Sequence, residues 1–434
     1  MSNLAINGGK PIRKKMFPPY KTIGKEEKKA VNRVLDSGVL SRYLGAWHND
    51  FYGGPEVKLF EKEWAKYFGV KHAIAVNSCT SGLQCAMGAI GINPGDEIIV
   101  SPYTMAASAT APLLYGGIPV FADIEKEYFC LDPKSVEKKI TSRTRAIIIV
   151  DIFGQPYNVD ALRKIAQKHN LKIIEDCAQA PGAKYKNKFA GTCGDIGVYS
   201  LNYHKHIHTG EGGVIVTNND ELAERLMLIR NHAEAVVENK GFKNLVNMVG
   251  FNFRLTEIQA AIGRVQLKKL RKLVADRVKN ANYLSKELSK IPGIKPAKIR
   301  QGATHVFYQL VFLFNEDKIG VNRDKFVKAV KAELPPTKLR ELEGVLIACG
   351  YVKPLYLLPA FQNRLAFGSK GYPFNSEYYK GKVSYKKGIC PVAERMHEKE
   401  LFTLELMRPT MDKKDLDDVV RAFKKVYKFR NELI

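Results

Sequence analysis

The sequence lacks any apolar segment long enough to cross a membrane. In a chain of 434 residues, no apolar run approaches the roughly 20 residues that a membrane helix requires. The first residues, Met1–Lys15, also lack the apolar core of a signal peptide. We therefore expect a cytoplasmic protein with no membrane partner.

Cysteine is sparse, and its spacing shows no pairs. Seven cysteines form an odd set, which in a long intracellular chain indicates reduced thiols. His204, His206 and His208 alternate along the chain, but without cysteines and without the spacing of a structural zinc site. We expect no metal here. On a strand the alternating side chains would share a face, where they would line a substrate pocket or pack at a subunit interface.

A nucleic-acid recognition motif is also absent, although the formal net charge is +25. Lysine and arginine are spread over the whole length and often lie beside acids, as in Glu26–Lys29 and Lys413–Asp418. No aromatic-basic motif or recognition helix stands out. The pattern indicates a solvated basic surface that helps to steer anionic substrates, with no nucleic acid as partner.

What the sequence does contain is a regular alternation of strands and helices. Hydrophobic residues at 45% and charged residues at 26% are typical of a globular protein. The alternation predicts an α/β fold with a mainly parallel, seven-stranded sheet flanked by helices. The predicted strands are Ala73–Asn77, Glu97–Pro102, Pro119–Asp123, Arg145–Phe153, Lys172–Asp176, Gly197–Asn202 and Gly213–Thr217. The predicted helices are Lys25–Ser37, Val57–Tyr67, Thr80–Ile90, Ala161–His169 and Glu221–Arg230.

A long helix, Thr256–Leu288, leads into a smaller α+β C-terminal domain. That domain is predicted to hold a strand at Val306–Phe314 and to close with a helix at Lys413–Lys428, while Phe367–Tyr385 is a long loop beside the substrate cleft. A chain of this length normally divides into domains. We predict an N-terminal segment at 1–54, a large domain at 55–280 and a small domain at 281–434.

Lys205 lies in the most informative segment of the chain, Ser200–Gly213. It falls between a strand-like run and a glycine turn that opens the next strand. A lysine at such a junction can act as an amine nucleophile when it is held beside a carbonyl group. Taken alone, it is more often a solvated surface charge.

Upstream, the segment Leu171–Ala180 reads as a buried strand that ends on an acid, Asp176. Ligands of parallel α/β sheets bind at the carboxyl ends of strands. A carboxylate there can keep a pyridinium nitrogen protonated, which makes the ring of pyridoxal 5′-phosphate (PLP) an electron sink. Gln179 follows within reach of another polar ring substituent. The alternative is that Asp176 caps a following helix.

The segment Ala73–Ala86 reads as a strand, a small polar turn and a helix. Free N–H groups and the positive end of the helix dipole make such a helix start an anion site. Thr80 and Ser81 add hydroxyl groups that suit a phosphate ester. By itself this is also the pattern of an ordinary N-cap, but a phosphate cradle, an acid and an amine in this order indicate a PLP site.

These segments resemble the DegT-type sugar aminotransferases, PLP enzymes with the aspartate-aminotransferase fold (fold type I). The resemblance runs from about Asn7 to Lys425. It is carried further by these segments: Pro94–Glu97, Arg143–Ile149, Phe153–Pro156, Glu175–Ala180, Gly250–Leu267 and Pro391–Glu394.

The resemblance implies a role for each matching residue. Lys205 would form the Schiff base with PLP and move the proton. Asp176 would pair with the pyridinium nitrogen, and Gln179 would contact the ring hydroxyl. Thr80 and Ser200 would bind the phosphate.

The resemblance also implies a homodimer with shared active sites, because the family supplies the phosphate contact at Asn252 from the neighbouring subunit.

Two residues depart from the family pattern. Met105 stands where an aromatic residue usually stacks on the cofactor ring, and a thioether can lie against such a ring. Cys79 stands in the phosphate turn where glycine is typical. In addition, the family's Tyr-x-x-Pro-Leu-His pattern corresponds here to Tyr351–Tyr356, which ends in tyrosine instead of histidine.

The implied reaction moves an amino group from L-glutamate or L-glutamine to the keto group of a nucleotide-linked sugar. The opening Leu4–Pro11 resembles members that act on keto-cyclitols, and a keto-phosphate would also suit a basic pocket. A subgroup of the family has histidine in place of the lysine and performs dehydration. Counting five residues on from Ser200 gives Lys205, which favours transamination over the alternatives of a PLP-dependent sugar dehydratase or a non-enzymatic regulator.

Overall fold

The computed structural model describes residues 2–434. The strands are β1 (His72–Val76), β2 (Glu97–Val100), β3 (Ile118–Phe121), β4 (Thr144–Val150), β5 (Lys172–Asp176), β6 (Lys184–Tyr185), β7 (Lys188–Phe189), β8 (Ile196–Ser200), β9 (Gly213–Thr217), β10 (Ile294–Pro296), β11 (Leu310–Phe314), β12 (Ile347–Cys349) and β13 (Leu401–Leu404).

The helices divide into long and short ones. The longer helices are α1 (Lys25–Ser37), α2 (Pro55–Phe68), α3 (Cys79–Ala89), α5 (Pro133–Lys139), α6 (Val159–Lys168), α7 (Asp220–Arg230), α9 (Glu257–Leu288), α11 (Arg323–Ala332) and α14 (Lys413–Lys428). The short ones are α4 (Ala107–Thr110), α8 (Val237–Lys240), α10 (Glu316–Ile319), α12 (Pro359–Gln362) and α13 (Pro391–Arg395).

The larger sheet has seven strands in the order β1-β9-β8-β5-β4-β2-β3. Strands β8, β5, β4, β2 and β3 pair in parallel, whereas β9 runs antiparallel to both of its neighbours, β1 and β8. The predicted mainly parallel, seven-stranded sheet is therefore confirmed. Because only β9 is reversed, the carboxyl ends of β1, β8 and β5 lie at the same edge of the sheet.

Both faces of this sheet are buried, as the apolar strand sequences require. In β1, Ile74 and Val76 belong to one hydrophobic core, while Ala73 and Ala75 belong to another on the opposite face. This is the two-residue alternation of a strand. Helices cover both faces, so the predicted α/β layering is confirmed.

The smaller sheet has the order β10-β11-β13-β12, and each pairing is antiparallel. Its core combines the end of α9 with α11 and α14, through side chains such as Leu284, Phe326 and Phe423. This confirms the predicted smaller α+β unit. Leu4 and Phe17 from the N-terminal segment pack into the same core. The proposed boundaries at residues 54 and 280 stay a prediction.

Helix α9 is the longest helix, with 32 residues. It begins with the capping box that its sequence indicates: Gln259 N donates to Thr256 Oγ1 at 3.3 Å, and Thr256 N donates to Gln259 Oε1 at 3.2 Å. Lysines and arginines recur along its length. Among residues 2–434, no helix combines the length and the apolar character that crossing a membrane requires.

The segment between α12 and α13 is irregular and packs along the outer edge of the larger sheet. Tyr385 donates its hydroxyl to the carbonyl of Pro119 in β3 at 2.8 Å, and Tyr379 donates to Glu97 Oε1 at 3.1 Å. At the far end of β3, the carboxylate of Asp123 accepts backbone N–H groups at the start of α13. The place of this segment beside the substrate cleft stays a prediction.

Candidate active site

The candidate site lies where the ends of four strands meet. Strand β1 ends at Val76 and β8 ends at Ser200, and both residues pair with Gly213, the first residue of β9. Strand β5, next to β8, ends at Asp176. In parallel α/β sheets ligands bind at this edge. The topology therefore brings the segments that carry the predicted amine, acid and phosphate turn to one place.

Lys205 is buried, with 8% of its surface exposed, in the turn that follows β8. Its Nζ lies 4.2 Å from the centroid of the Tyr308 ring. Within residues 2–434, this amine donates no hydrogen bond and forms no ion pair. It is therefore available to bond to a ligand, which a lysine held by a carboxylate would not be.

The histidines around Lys205 do not lie on a strand, because β8 ends at Ser200. His206 is fully buried, and its Nε2 lies 2.9 Å from the carbonyl oxygen of Val306. Burial, aided by the charge of Arg277, lowers the pKa of His206 well below its usual value. His204 and His208 are half-buried, and burial lowers their pKa values as well. The neutral His206 ring anchors the Lys205 segment to the backbone at Val306.

Asp176 is buried at the end of β5. Its Oδ2 accepts a hydrogen bond from Ser108 Oγ at 2.6 Å, and its Oδ1 accepts one from Ala178 N at 3.1 Å. Burial raises the pKa of Asp176, while the Ser108 hydroxyl, the Ala178 N–H and the charge of Lys205 act in the opposite direction. The alternative of a helix cap is wrong, because in the described chain β5 leads through turns to β6 and no helix follows.

The predicted phosphate turn is the start of α3. Ser78 is its N-cap, and the Ser78 hydroxyl oxygen accepts Ser81 N at 3.0 Å. Thr80 is exposed at the helix start, whereas Ser81 is buried and donates its hydroxyl to Asn77 Oδ1. The first N–H groups of a helix have no partner within the helix. Ser78 can therefore cap one of them while the others remain free to bind an anion.

Gly213 explains how this helix start comes so close to β9. A Cβ atom added at Gly213 would lie 2.7 Å from both the carbonyl carbon and the oxygen of Ser78. A residue with a side chain would therefore push the turn away from the sheet. The glycine lets the anion site sit directly beside the end of β8.

The remaining predicted residues lie around this edge. Ser200 is buried, and its hydroxyl oxygen accepts Asn202 N at 3.3 Å. The Gln179 amide is held by the protein at both ends: Oε1 accepts Phe153 N at 2.7 Å, and Nε2 donates to the Tyr351 hydroxyl at 2.9 Å. Met105, beyond the end of β2, has 58% of its surface exposed.

Asn252 lies beside the phosphate turn within the same chain. Its carbonyl oxygen accepts Asn77 Nδ2 at 3.4 Å, and Asn77 directly precedes the N-cap of α3. The Asn252 side chain is exposed, and its Oδ1 accepts Arg254 Nε at 2.8 Å. The contact from a neighbouring subunit stays a prediction.

Two residues of the site were not predicted for it, Ser108 and Tyr308. Cys79 was predicted in the phosphate turn, but its contact with Asp176, 3.9 Å from Sγ to Oδ1, was not. Ser108 belongs to no motif and reaches Asp176 through tertiary contact alone. Tyr308 was not recognised as a site residue because it fell inside the predicted strand Val306–Phe314, which begins earlier than the strand in the structure. Strand β11 starts at Leu310 because Phe307 has a φ of 50°, so the chain still turns there and places Tyr308 beside Lys205.

The arrangement fits the polar groups of PLP. The Lys205 amine is unpaired, as a partner for an aldehyde carbon must be. Asp176 supplies a buried carboxylate for the pyridine nitrogen. The start of α3 supplies N–H groups and the Thr80 hydroxyl for a phosphate. Ser200 pairs with Gly213, the residue that this helix start packs against. Amine, acid and anion site share one edge of the sheet.

Comparison with known proteins agrees with this geometry. The profile of the DegT/DnrJ/EryC1/StrS aminotransferase family matches residues 21–370. The L-glutamine:2-deoxy-scyllo-inosose aminotransferase of Streptoalloteichus tenebrarius is 31% identical over 446 residues, which cover 99% of this chain and 99% of that protein. The GDP-perosamine synthase of Caulobacter vibrioides is 39% identical over 275 residues, 63% of this chain and 72% of that protein.

Among solved structures, the aminotransferase from Psychrobacter cryohalolentis superimposes with a TM-score of 0.80 at 29% identity, covering 95% of this chain and 99% of that one. The family match spans most of the chain and includes Lys205, Asp176 and the start of α3. The chain therefore belongs to the DegT/DnrJ/EryC1/StrS aminotransferase family and is a PLP-dependent aminotransferase.

Proposed function

We propose that this enzyme transfers an amino group from L-glutamate or L-glutamine to the keto group of a nucleotide-linked sugar. The observation that carries the transamination is the buried, unpaired Lys205 amine at the same sheet edge as Asp176. The acceptor class is supported by the similarity to a GDP-perosamine synthase. The donor is supported by the relative whose name specifies L-glutamine.

In the proposed mechanism Lys205 has two tasks. Its Nζ would hold the cofactor at the aldehyde carbon, and, once the amino donor has freed it, the same nitrogen would take the proton from the donor Cα and return it as an acid. When bound, PLP supplies an electron sink for this proton transfer. The Tyr308 ring, 4.2 Å from Nζ, limits where the amine can move and keeps water from that side.

The other predicted residues would bind and orient the cofactor. Asp176 would hold a proton at the pyridine nitrogen, with Ser108 fixing its carboxylate through a bond of 2.6 Å. Thr80 and the first N–H groups of α3 would bind the phosphate, together with Ser200. Ser81 was also predicted to bind the cofactor, but its buried hydroxyl already donates to Asn77, so we propose that it stabilises the turn. Met105 would lie against the ring, and Gln179 would contact the ring hydroxyl from its anchored position.

We also propose that the enzyme is a homodimer whose active sites are shared. Large apolar side chains are exposed in the segment that leads to Asn252, with Leu245 at 60%, Val246 at 48% and Val249 at 67%. Exposed apolar surface of this kind is typical of a subunit interface. A second copy of the chain over this segment would bury these side chains and bring Asn252 to the partner's phosphate turn.

A keto-cyclitol acceptor is the second candidate. The relative that acts on 2-deoxy-scyllo-inosose matches 99% of this chain, whereas the GDP-perosamine synthase matches 63%. A keto-phosphate would also suit a protein with a net charge of +25. Since these acceptors share the keto group and differ in the rest of the molecule, only a direct comparison separates them.

The test is a screen of the PLP-loaded enzyme against nucleotide-linked keto-sugars, keto-cyclitols and keto-phosphates, with either donor and mass detection of the aminated product. Amination of a nucleotide-linked sugar supports the proposal, and amination of a cyclitol alone replaces it by the second candidate. Loss of water from the sugar without consumption of the donor would identify a dehydratase. The Lys205→Ala variant is the control for product formed without the enzyme.

A further inference from the structure

Two carboxylates and a thiol lie close together behind the strand that carries Asp176. Asp151 follows β4, Glu175 is the residue before Asp176 in β5, and Cys177 is the residue after it. One ligand atom of each of these three residues lies within 4.8 Å of the other two. We call Asp151, Glu175 and Cys177 the acid–thiol cluster. Successive strand residues point to opposite faces, so Glu175 lies across the sheet from the Asp176 side chain.

The acid–thiol cluster is buried and has no positive partner. Each of its three residues has 0% of its surface exposed. Within residues 2–434, no lysine, arginine or histidine forms an ion pair with Asp151 or Glu175. Buried carboxylates are normally paired with a cation or bound to a metal, because burying a bare charge costs free energy. The cluster therefore offers a place for a cation that the protein itself does not supply.

The Glu175 carboxylate is held by the backbone of the loop before β8. Gly191 N donates to its Oε2 at 2.9 Å, and Cys193 N donates to its Oε1 at 2.6 Å, with a further bond from Gly194 N. Burial raises the pKa of Glu175, but the three N–H groups act in the opposite direction, because they stabilise the ionised carboxylate. The loop thus fixes the orientation of a carboxylate that can still bind an ion.

Asp151 is fixed in a similar way. Its Oδ1 accepts Tyr157 N at 3.0 Å, and its Oδ2 lies 3.1 Å from Cys177 Sγ. Its own backbone N–H donates to the carbonyl of Asp176 at 3.1 Å. The oxygen and sulfur atoms of the cluster are therefore placed by contacts from both strand ends, and an ion would find them already together.

The Tyr157 hydroxyl is a second, independent sign of a ligand at the cluster. It is fully buried, and it has no hydrogen-bond partner within residues 2–434. Burial raises its pKa, and the charges of Glu175, Asp151 and Cys177 add to the effect, so the hydroxyl lies beside the cluster. A buried hydroxyl beside acceptors normally donates to one of them, but this one reaches none. An ion between the hydroxyl and the carboxylates would contact both.

A route from solvent leads toward the cluster. A cavity of about 380 Å³ at the surface is lined by Cys193, Gly194 and Asp195, among others. Cys193 and Gly194 are the residues whose N–H groups donate to Glu175. Only this loop separates the cluster from the cavity, so a small movement of the loop would admit an ion.

We propose that the acid–thiol cluster binds a Zn²⁺ ion. A thiolate ligand favours zinc over Mg²⁺ and Ca²⁺, which prefer oxygen ligands alone. The ligands of a zinc ion lie about 2.0–2.3 Å from it, so atoms within 4.8 Å of one another need only a small movement to share the ion. The ion displaces the proton of the Cys177 thiol, and the Tyr157 hydroxyl lies beside the fourth position.

The ion would have a structural task. Asp151 and Cys177 lie on the two sides of Asp176, and a common ion would tie the turn after β4 to the end of β5. The strand end that carries the cofactor acid would then be held from behind. None of the histidines around Lys205 takes part, and the inference is independent of the amino donor and the acceptor.

The test begins with the metal content of the tag-free, PLP-loaded enzyme after growth with added zinc, measured by plasma mass spectrometry. We expect about one zinc ion per chain in the unchanged enzyme, and nearly none in Cys177→Ala and Asp151→Asn. Cys85→Ala is the matched control, because Cys85 is equally buried but lies outside the cluster. Thermal unfolding shows which variants are folded.

A second measurement tests the Tyr157 hydroxyl. After removal of the metal with a chelator, zinc is titrated back, and in Tyr157→Phe the dissociation constant should rise roughly 10- to 100-fold, as for other groups that support metal ligands. Tyr115→Phe is the control and should bind zinc as the unchanged enzyme does. The Tyr115 hydroxyl is also buried without a partner, but it belongs to a different part of the core.

Cobalt gives a readout that needs no variant. Co²⁺ in place of zinc should show the visible bands of a four-coordinate ion and a sulfur-to-cobalt charge-transfer band in the difference spectrum. The assignment is overturned if the unchanged enzyme carries no zinc and binds none on titration, or if the cobalt spectrum shows no sulfur ligand. Zinc retained in folded Cys177→Ala and Asp151→Asn would equally overturn it, because the ion would then be bound elsewhere.

Discussion

Replacing Ser108 with alanine removes the hydroxyl that donates to the buried carboxylate of Asp176 at 2.6 Å. Both residues are buried, so water cannot replace the lost donor. A hydrogen bond to a charged group contributes about 1.5–3 kcal/mol. We therefore expect Ser108→Ala to lower the free energy of unfolding of the cofactor-free protein by about this amount at pH 7.

The pH dependence gives this prediction a definite sign. Burial raises the pKa of folded Asp176 above its ordinary value, so the folded protein binds the proton more tightly than the unfolded chain does. The contribution of Asp176 to the free energy of unfolding therefore falls as the pH rises from about 4 through the pKa of the folded state, and then levels off. Ser108→Ala raises that pKa further, because it removes a donor to the ionised form. The loss of stability is thus largest at neutral pH and shrinks toward pH 4.

The assay is urea unfolding of the cofactor-free protein at several pH values, with Ser101→Ala as the control. Ser101 is also buried, but its hydroxyl oxygen accepts only a neutral backbone N–H, that of Tyr103 at 3.3 Å. A neutral bond contributes about 0.5–1.5 kcal/mol, without pH dependence. Equal losses in the two variants at every pH would refute the reasoning, since they would show that Asp176 is not ionised beside Ser108.

Three further predictions concern the cofactor site. Borohydride reduction and peptide mapping should place the pyridoxyl group on Lys205, and label on another lysine would exclude the assignment. Mixing Asn252→Ala subunits with Lys205→Ala subunits should restore activity if Asn252 serves the partner's site; no gain despite proven subunit exchange would place its role within its own chain. Gly213→Ala should lower cofactor-free stability by about 1–3 kcal/mol, since a Cβ would lie 2.7 Å from the backbone of Ser78. Gly45→Ala is its control, because the nearest atom to a Cβ added at Gly45 lies 4.0 Å away. Equal stability of the two variants would contradict the close contact at Gly213.

Strong local signals made parts of the fold predictable. The predicted bounds of β5, β9, α1 and α14 agree with the structure, because apolar runs and capping residues mark their ends. The same signals placed Asp176 at the end of one strand and Lys205 in the turn after another. Their meeting at one edge followed from the parallel order of the strands, which the alternation of strands and helices predicts.

Other features depend on contacts that a local pattern does not contain. Strands β10, β12 and β13 have three or four residues each, too few to show a period. The start of β11 depends on the positive φ of Phe307, which nothing in the residue type predicts. Ser108 reaches Asp176 from a segment far away in the sequence, so this contact could be seen only once the chain was folded.

The packing along β3 has a consequence for how copies of this protein can associate. An open sheet edge can pair with the edge of another molecule, but here Pro119 has no N–H to donate, and its carbonyl oxygen is taken by Tyr385. The segment between α12 and α13 thus closes the edge within each chain. Assembly by continuing the larger sheet from one subunit into the next is therefore blocked at β3. In a variant shortened in this segment the Pro119 carbonyl would be free, and the missing N–H of Pro119 alone would oppose pairing at this edge.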